Sequence, residues 1–137
     1  MTNIFTYGTL MFEEIWSQVV TGEYRRFPAI LDGYYRKMAR DEEYPVLYPH
    51  APSSQVEGFV YLDVSDADLE KLDYFEGEYY FRKSEDVLVL ESGKMPAAVY
   101  VLKEEYYSII SNKNWDPDYF KTQGIDLFKN KYDGFNQ

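Results

Sequence analysis

The feature that most limits the fold of this chain is a series of short β-prone runs separated by turn signals. We predict strands at Asn3–Tyr7, Gln55–Val64 and Tyr79–Leu90, because Ile, Val, Phe, Tyr and Thr favour the pleated conformation. Ser92-Gly93 is a turn signal after the third run, and Pro96–Leu102 is predicted to return beside it. This part of the sequence therefore predicts a β-hairpin.

Other extended segments and a few short helices complete the predicted organisation. Ala29–Arg40 is predicted to form one or two strands around the turn signal Asp32-Gly33, and Glu43–His50 to form a short extended piece. Apolar spacing predicts a helix over Phe12–Val20 that Thr21-Gly22 ends. Strands dominate and the helices are scattered, so the predicted fold class is α+β.

Capping residues predict two further helices. Ser65 is the predicted cap of a helix that reaches Glu76, with Asp68 as the acid of a capping box and Gly77 as the stop. Asp116-Pro117-Asp118 is the predicted start of a C-terminal helix. With 137 residues, of which 45% are hydrophobic, the chain is predicted to be a single domain over residues 1–137.

Composition excludes several classes of function. The chain has no cysteine and one histidine, which excludes disulfides, thiolate or multi-His metal sites and a cysteine nucleophile, and we predict no metal and no cofactor. A formal charge of −10 argues against a nucleic-acid partner and against an anionic membrane surface. No signal peptide and no apolar run of about 20 residues is visible, so the predicted location is cytoplasmic.

The first candidate site is Tyr7-Gly8-Thr9-Leu10, where a predicted strand stops at a glycine and a helical stretch begins. Backbone N–H groups at such a turn have no internal partner and can hold a carboxylate or a phosphate. Gly8 would let a ligand approach closely because it has no Cβ. The sequence has no Walker-type GK[ST], so phosphate is not favoured over carboxylate. The alternative is that Gly8 only makes a tight turn.

The second candidate is Glu76, near the end of the helix that Ser65 begins. Leu69, Leu72, Asp73 and Glu76 share one helix face, and its two leucines predict that this face is buried. Burial and the negative end of the helix dipole both raise the pKa of a carboxyl group. A carboxylate with a raised pKa is suited to act as a general base. The alternative is that Glu76 is solvated.

Other chemically active residues carry weaker signals. His50 lies between prolines in a predicted loop and no G-x-S-x-G nucleophile elbow occurs, so we interpret His50 as a surface residue. Asp73 and Glu76 could form an acid pair, but two carboxylates of one helix do not readily straddle a glycosidic bond. The fifteen tyrosines are assigned mainly to the core and the sheet faces.

Together the two stretches resemble the γ-glutamylcyclotransferase-like, or AIG2-like, family. Tyr7-Gly8-Thr9-Leu10 is similar to its Y-G-[ST]-L signature, and Leu72–Arg82 is similar to its L-D-x-[FY/L]-E-G-x-x-Y-x-R motif. Segments with the family's order and spacing lie between them: Gly33-Tyr34, Tyr44-Pro45 and Gly58–Tyr61. The resemblance covers residues 4–102.

The resemblance implies a small mixed β-barrel with flanking short helices and a small-molecule γ-glutamyl substrate. The α-amine of such a substrate attacks its own γ-carbonyl, which releases 5-oxoproline and an amine. Carried over, Glu76 is the catalytic acid and base, while Tyr7, Gly8, Thr9 and Leu10 bind substrate and Tyr80 could line the pocket. Arg82 matches the motif too, and we favour a structural pairing with a nearby acid.

Three functions from different classes stay open at this point. The first is a γ-glutamyl cyclotransferase, the second is a non-catalytic module that binds a small acidic ligand on the same scaffold, and the third is an acidic protein-interaction domain with an exposed aromatic patch. The sequence leaves the leaving amine and the oligomeric state undetermined. The enzyme hypothesis requires Glu76 and the Gly8–Leu10 amides to face one cavity.

Overall fold

A closed barrel of five strands forms the centre of the protein, and a second sheet of three strands lies beside it. The computed structural model describes residues 1–132. The barrel has the order β1-β5-β2-β6-β7, and the second sheet has the order β4-β3-β8. The strands are β1 Thr2–Thr6, β2 Arg26–Asp32, β3 Tyr34–Ala39, β4 Pro45–Pro49, β5 Gln55–Val64, β6 Tyr80–Val89, β7 Gly93–Leu102 and β8 Ile110–Asn114.

Short helices flank these sheets. Two are separate helices, α1 at Glu13–Val19 and α2 at Asp66–Glu76. A third helical region contains α3 at Pro117–Tyr119, π-helical turns over Phe120–Gly124 and α4 at Ile125–Lys131. The α+β class and the mixed barrel with flanking helices are therefore confirmed.

The barrel closes through the parallel pair β1–β7, whereas its other neighbouring strands are antiparallel. Ile4 and Phe5 pair with Ala98 and Val99 in that parallel contact. Strand β7 is buried at every position from residue 97 to residue 102, and β1 is buried from residue 4 onward. Burial on both faces is typical of parallel strands. The end of β1 thus leads the chain into the protein interior.

Most predicted elements agree with the structure. The hairpin around Ser92-Gly93 is the long β6–β7 pair, and Ala29–Arg40 splits into β2 and β3 at Gly33, whose φ of +85° suits glycine. Strand β8 was not predicted, because Ser-Asn-Lys-Asn has no β-prone pattern. Within residues 1–132 no helix is long and apolar enough to cross a membrane.

The start of α2 corrects one prediction. Ser65 caps the helix, since its side chain accepts a hydrogen bond from the Asp68 N–H at 3.2 Å. Asp68 does not complete a capping box. Its buried carboxylate accepts hydrogen bonds from Thr21 N (3.0 Å), Gly22 N (2.9 Å) and Tyr24 Oη (2.6 Å). Asp68 therefore fastens the segment after α1 to α2.

We expect Asp68→Asn to destabilise the fold by about 2 kcal/mol, because an amide places a donor where a backbone N–H already donates. Burial alone would raise the pKa of Asp68, but the hydrogen bonds from Tyr24, Thr21 and Gly22 outweigh it and hold that pKa at about 2. Urea unfolding at pH 7 measures the loss. Asp66→Asn, an exposed acid in the same helical turn, is the matched control and should change stability by less than about 0.5 kcal/mol.

Candidate active site

A small cavity lies where the chain leaves β1 and passes the last turn of α2. Its volume is about 20 Å³. The six residues that the sequence singled out all line it: Tyr7, Gly8, Thr9, Leu10, Glu76 and Tyr80. The cavity therefore brings the opening loop and the helix-end acid together, as the enzyme hypothesis requires. The roles of these residues stay predictions.

The opening loop lines this cavity and carries backbone donors that have no partner in the described part of the chain. After β1 the chain makes a 3₁₀ turn at Thr9–Met11, in which Met11 N donates to Gly8 O at 2.9 Å and Phe12 N donates to Thr9 O at 3.2 Å. Within residues 1–132, the N–H groups of Gly8, Thr9 and Leu10 donate to no other group. These groups are available to a carboxylate or to a developing oxyanion.

Packing explains why glycine occupies position 8. A Cβ built on Gly8 would lie 2.4 Å from Cγ and 2.8 Å from Cδ of Pro45. Close approach of a ligand was the reason inferred from the sequence, and the structure gives a second one. The loop lies directly against the buried ring of Pro45, at the start of β4.

Glu76 is the last residue of α2 and is half-buried. Gly77 ends the helix with a φ of +82° and donates its N–H to Asp73 O at 3.1 Å. In the described part of the chain, no group donates a hydrogen bond to the Glu76 carboxyl and no cation pairs with it. Desolvation raises the pKa of this carboxyl to about 8, and the nearby charge of Asp73 acts in the same direction.

The buried face of α2 differs slightly from the predicted one. Its fully buried side chains are Asp68, Leu69, Leu72 and Phe75. Asp73 and Glu76 lie at the margin of that face, where Asp73 reaches solvent and Glu76 reaches the cavity. Glu76 is thus half-buried at the cavity, at the margin of the face that its spacing predicted to be buried. Its pKa is raised by desolvation, as predicted, and by the charge of Asp73, whereas the helix dipole was the second cause inferred from the sequence.

Tyrosines form much of the cavity wall. Tyr7 Oη donates to Tyr100 O at 2.7 Å, Tyr80 Oη donates to Pro45 O at 3.0 Å, and Tyr132 Oη donates to Phe75 O at 2.6 Å. Burial raises the pKa of Tyr7 and of Tyr80 well above the ordinary value, so both hydroxyls stay protonated near neutral pH. Each of these three hydroxyls therefore donates its proton to a backbone carbonyl and not into the cavity.

Eight lining residues were not identified as site residues from the sequence: Phe5, Thr6, Tyr44, Pro45, Phe75, Tyr100, Phe128 and Tyr132. Tyr44-Pro45 was noted only for its position between the two motifs, and that position was the one feature of the sequence that could have identified it as part of the site. Tyr100 lies in a continuous apolar run and Tyr132 directly follows α4, so neither stands out by pattern.

Two other residues discussed from the sequence, Arg82 and His50, lie outside the cavity. Arg82 pairs with Asp73, with Nε 2.7 Å from Oδ1, which confirms the structural pairing predicted for it. His50 is exposed, stacks on Tyr35 at 3.5 Å between ring centroids and contacts Ser54 Oγ at 3.1 Å. Among residues 1–132, no group of three or more His, Asp or Glu side chains is placed to hold a metal ion.

The raised pKa of Glu76 predicts how stability changes with pH. A Glu carboxyl titrates near 4.5 ordinarily and near 8 in this fold, so between these values the folded state holds more protons than the unfolded state. The stability that this difference contributes is fully present below about pH 4.5 and is lost as the pH rises through about 8.

Glu76→Gln should therefore become more stable relative to the wild type as the pH rises from 5 to 8. The slope should stay below the limit of about 1.4 kcal/mol per pH unit for one proton. Urea unfolding of both proteins at pH 5 and at pH 8 measures this change. The same stability difference at both pH values would contradict the assigned pKa.

The fold and the site together define a small β-barrel protein with an acid and free backbone amides around one small cavity. The chain belongs to the family described as "Gamma-glutamyl cyclotransferase, AIG2-like", whose profile it matches over residues 4–117. This match confirms the family resemblance that the two motifs indicated.

Individual relatives agree with this family. Protein AIG2 C of Arabidopsis thaliana is 29% identical over 106 residues, which cover 75% of this chain and 64% of that protein. The chain thus spans less than two thirds of that relative's length. A solution structure from Arabidopsis thaliana is similar at a TM-score of 0.72 and 26% identity, over 96% of this chain and 79% of that one.

A more distant solved structure shares the fold. It carries the name "Gamma-glutamyl cyclotransferase" and has a TM-score of 0.63 at 16% identity, over 74% of this chain and 66% of that one. At this identity the likeness is evidence for the barrel alone.

Proposed function

We propose that this protein is a γ-glutamyl cyclotransferase that converts a γ-glutamyl amine or peptide to 5-oxoproline and a free amine. One observation carries the proposal: Glu76, a carboxyl with a pKa raised to about 8 and no partner in residues 1–132, lines the same cavity as the free N–H groups of Gly8–Leu10. Family membership supports the same class of reaction.

In the proposed reaction Glu76 is the general base and then the general acid. Its carboxylate takes a proton from the substrate α-ammonium, and the freed amine nitrogen attacks the γ-carbonyl carbon to close a five-membered ring. The ring nitrogen gives its second proton to solvent, the bond from the γ-carbon to the leaving nitrogen breaks, and Glu76 returns its proton to that nitrogen, so that the lactam and the amine both leave neutral. A carboxyl that titrates close to the working pH is suited to both steps.

The loop supplies the electrostatic part of the proposal. Backbone N–H groups of Gly8, Thr9 and Leu10 can hold the substrate carboxylate or the oxyanion that forms at the γ-carbonyl. Because these donors are fixed by the 3₁₀ turn and by Pro45, they need no rearrangement during the reaction. Holding the amine beside the carbonyl supplies a further part of the acceleration. No covalent intermediate with the protein is required.

The cavity volume adds a condition to substrate binding. About 20 Å³ holds roughly one water molecule, which is much less than a γ-glutamyl group occupies. A wall of the cavity must therefore move when the substrate enters. Phe128 and Tyr132 form one wall and belong to the C-terminal helical region, which packs from outside the barrel.

A product assay tests the proposed function. The purified protein is incubated with γ-glutamyl compounds that differ in the leaving amine: a simple alkylamine, the lysine side chain, a dipeptide as in glutathione, and a polyamine. Mass spectrometry then measures 5-oxoproline. We expect lactam release from at least one compound, at a rate proportional to protein concentration. Saturable binding without lactam on the whole panel would overturn the proposal and support the non-catalytic binding module.

A further inference from the structure

Asp73, one turn before Glu76, is held by two residues that face each other across a pair of strands. Arg82 on β6 and Tyr100 on β7 are direct cross-strand partners. Both donate to the same atom, Asp73 Oδ1, with Arg82 Nε and Tyr100 Oη each at 2.7 Å. Arg82 approaches from the solvent side, whereas Tyr100 is 3% exposed and lines the cavity. The barrel wall thus fixes the turn of α2 that carries Glu76.

Tyr100 also receives a hydrogen bond from the substrate loop. The backbone pairing of β1 with β7 includes Phe5 and Val99. Beyond this pair the contact between the two segments is made by a side chain, because Tyr7 Oη donates to Tyr100 O at 2.7 Å. The carbonyl of Tyr7 in turn accepts from Arg36 Nη1 at 2.7 Å. One residue of β7 therefore connects the loop and the acid-bearing helix, which are otherwise far apart in sequence.

We propose that Tyr100 is a positioning residue, which couples the substrate loop to Asp73 and so sets both the place and the electrostatic surroundings of Glu76. This inference rests on the proposed function, because it assigns Tyr100 a part in the same site. Tyr100 itself does not act on the substrate in this proposal. It acts through Asp73 and Tyr7.

Among the charged and titratable groups around Glu76, Asp73 is the one whose charge acts on the Glu76 carboxyl. The groups that face Glu76 are Asp73 of α2, Tyr7 of the loop, Tyr44 before β4, Tyr80 of β6, Tyr100 of β7 and Tyr132 after α4. Beside them, Glu42, Glu78 and Lys131 line the outer groove that Glu76 also borders. Burial raises the pKa of the facing Tyr7, Tyr44, Tyr80 and Tyr100, so these four carry no charge at neutral pH, and Asp73 supplies the nearest negative charge.

Tyr100→Phe tests this coupling, because it removes only the hydroxyl. Asp73 then loses one of its two donors, its charge is less compensated, and the pKa of Glu76 should rise. We expect the titration of the Glu76 carboxyl, followed by ¹³C NMR and assigned by its absence from Glu76→Gln, to move up by about half a pH unit to one pH unit. The rate of lactam release at neutral pH should fall about 10-fold.

Arg82→Gln provides a second variant that does not alter the cavity wall. It removes the other donor to Asp73 from the solvent side and should move the Glu76 titration in the same direction. If Tyr100→Phe does not fold, Arg82→Gln alone decides whether the Asp73 environment controls Glu76. An unmoved titration in the folded variants would overturn the proposal.

A double-mutant comparison separates coupling from a general loss of packing. In an Asp73→Asn background, which lowers the pKa of Glu76, adding Tyr100→Phe should move the titration by less than about 0.2 units, because the charge has gone. An undiminished shift in that background would contradict action through Asp73. Tyr34→Phe is the matched control, since Tyr34 is buried and donates to Glu85 away from the cavity, and it should leave the titration unchanged.

The two readouts keep this inference separate from the proposed function. The NMR titration needs no turnover, so it tests the coupling even if the wild type releases lactam from no compound. Absent lactam with a shifted titration would reject the function and keep the coupling. Lactam release with an unshifted titration would support the proposed function and reject the coupling.

Discussion

Glu76→Gln should lower the rate of 5-oxoproline release about 10³-fold while the protein stays folded. General acid–base catalysis by one side chain contributes about 10² to 10⁴ in rate, and this reaction uses Glu76 for two proton transfers. Glutamine has nearly the same shape but cannot take the α-ammonium proton. Since no group in residues 1–132 bonds to the carboxyl, the substitution breaks no structural contact there.

Mass spectrometry of the lactam at substrate saturation measures this loss in kcat. Glu70→Gln is the matched control, because Glu70 is an exposed glutamate on the same helix and lies outside the cavity. It should keep wild-type turnover. Wild-type turnover in Glu76→Gln would exclude Glu76 as the base. Loss of both turnover and substrate binding would instead assign Glu76 to ground-state binding.

Gly8→Ala should have the second-largest effect. The new Cβ would lie 2.4 Å from Pro45 Cγ, and a buried proline ring cannot rotate away as a flexible side chain can. The loop must move, and with it the free N–H groups of residues 8 to 10. A displacement near 1 Å in a site of this kind costs about 10²-fold in rate. Overpacking should also destabilise the fold by about 1–3 kcal/mol.

Rescue by a second substitution tests the physical cause of that effect. Pro45→Ala removes the ring atoms that clash but keeps the carbonyl that accepts from Tyr80 Oη. With Pro45→Ala as the reference, adding Gly8→Ala should therefore cost much less activity and stability than it does in the wild type. Turnover assays and urea unfolding on the four proteins of this cycle measure both quantities. An equal cost in both backgrounds would show that contact with Pro45 is not the reason for glycine at position 8.

Much of the candidate site could be predicted because local sequence determines it. The strand that ends at Tyr7 and the helix that ends at Gly77 each follow from propensity and from glycine, and each carries a short motif. The spacing of Leu69, Leu72 and Glu76 predicted that the acid lies inside the protein. The raised pKa followed from that placement.

The rest of the site depends on tertiary contacts between residues that are far apart in sequence, which local sequence does not encode. Tyr100 is one apolar position among many in β7, and only the parallel closure of the barrel brings its carbonyl to Tyr7. Pro45 contacts Gly8 because the second sheet packs β4 beside the barrel. Asp68 lies at the position where a capping box places its acid. Its carboxylate instead accepts four hydrogen bonds from the segment after α1.

A crystal structure of Glu76→Gln with a bound γ-glutamyl compound that the wild type converts would test the central claim most directly. The account predicts the α-amino nitrogen of the ligand within about 3.5 Å of the side chain at position 76. It also predicts a ligand oxygen on the N–H groups of residues 8 to 10, in a cavity enlarged from the present one. A ligand bound elsewhere, or one in this cavity with its amine turned away from position 76, would contradict it.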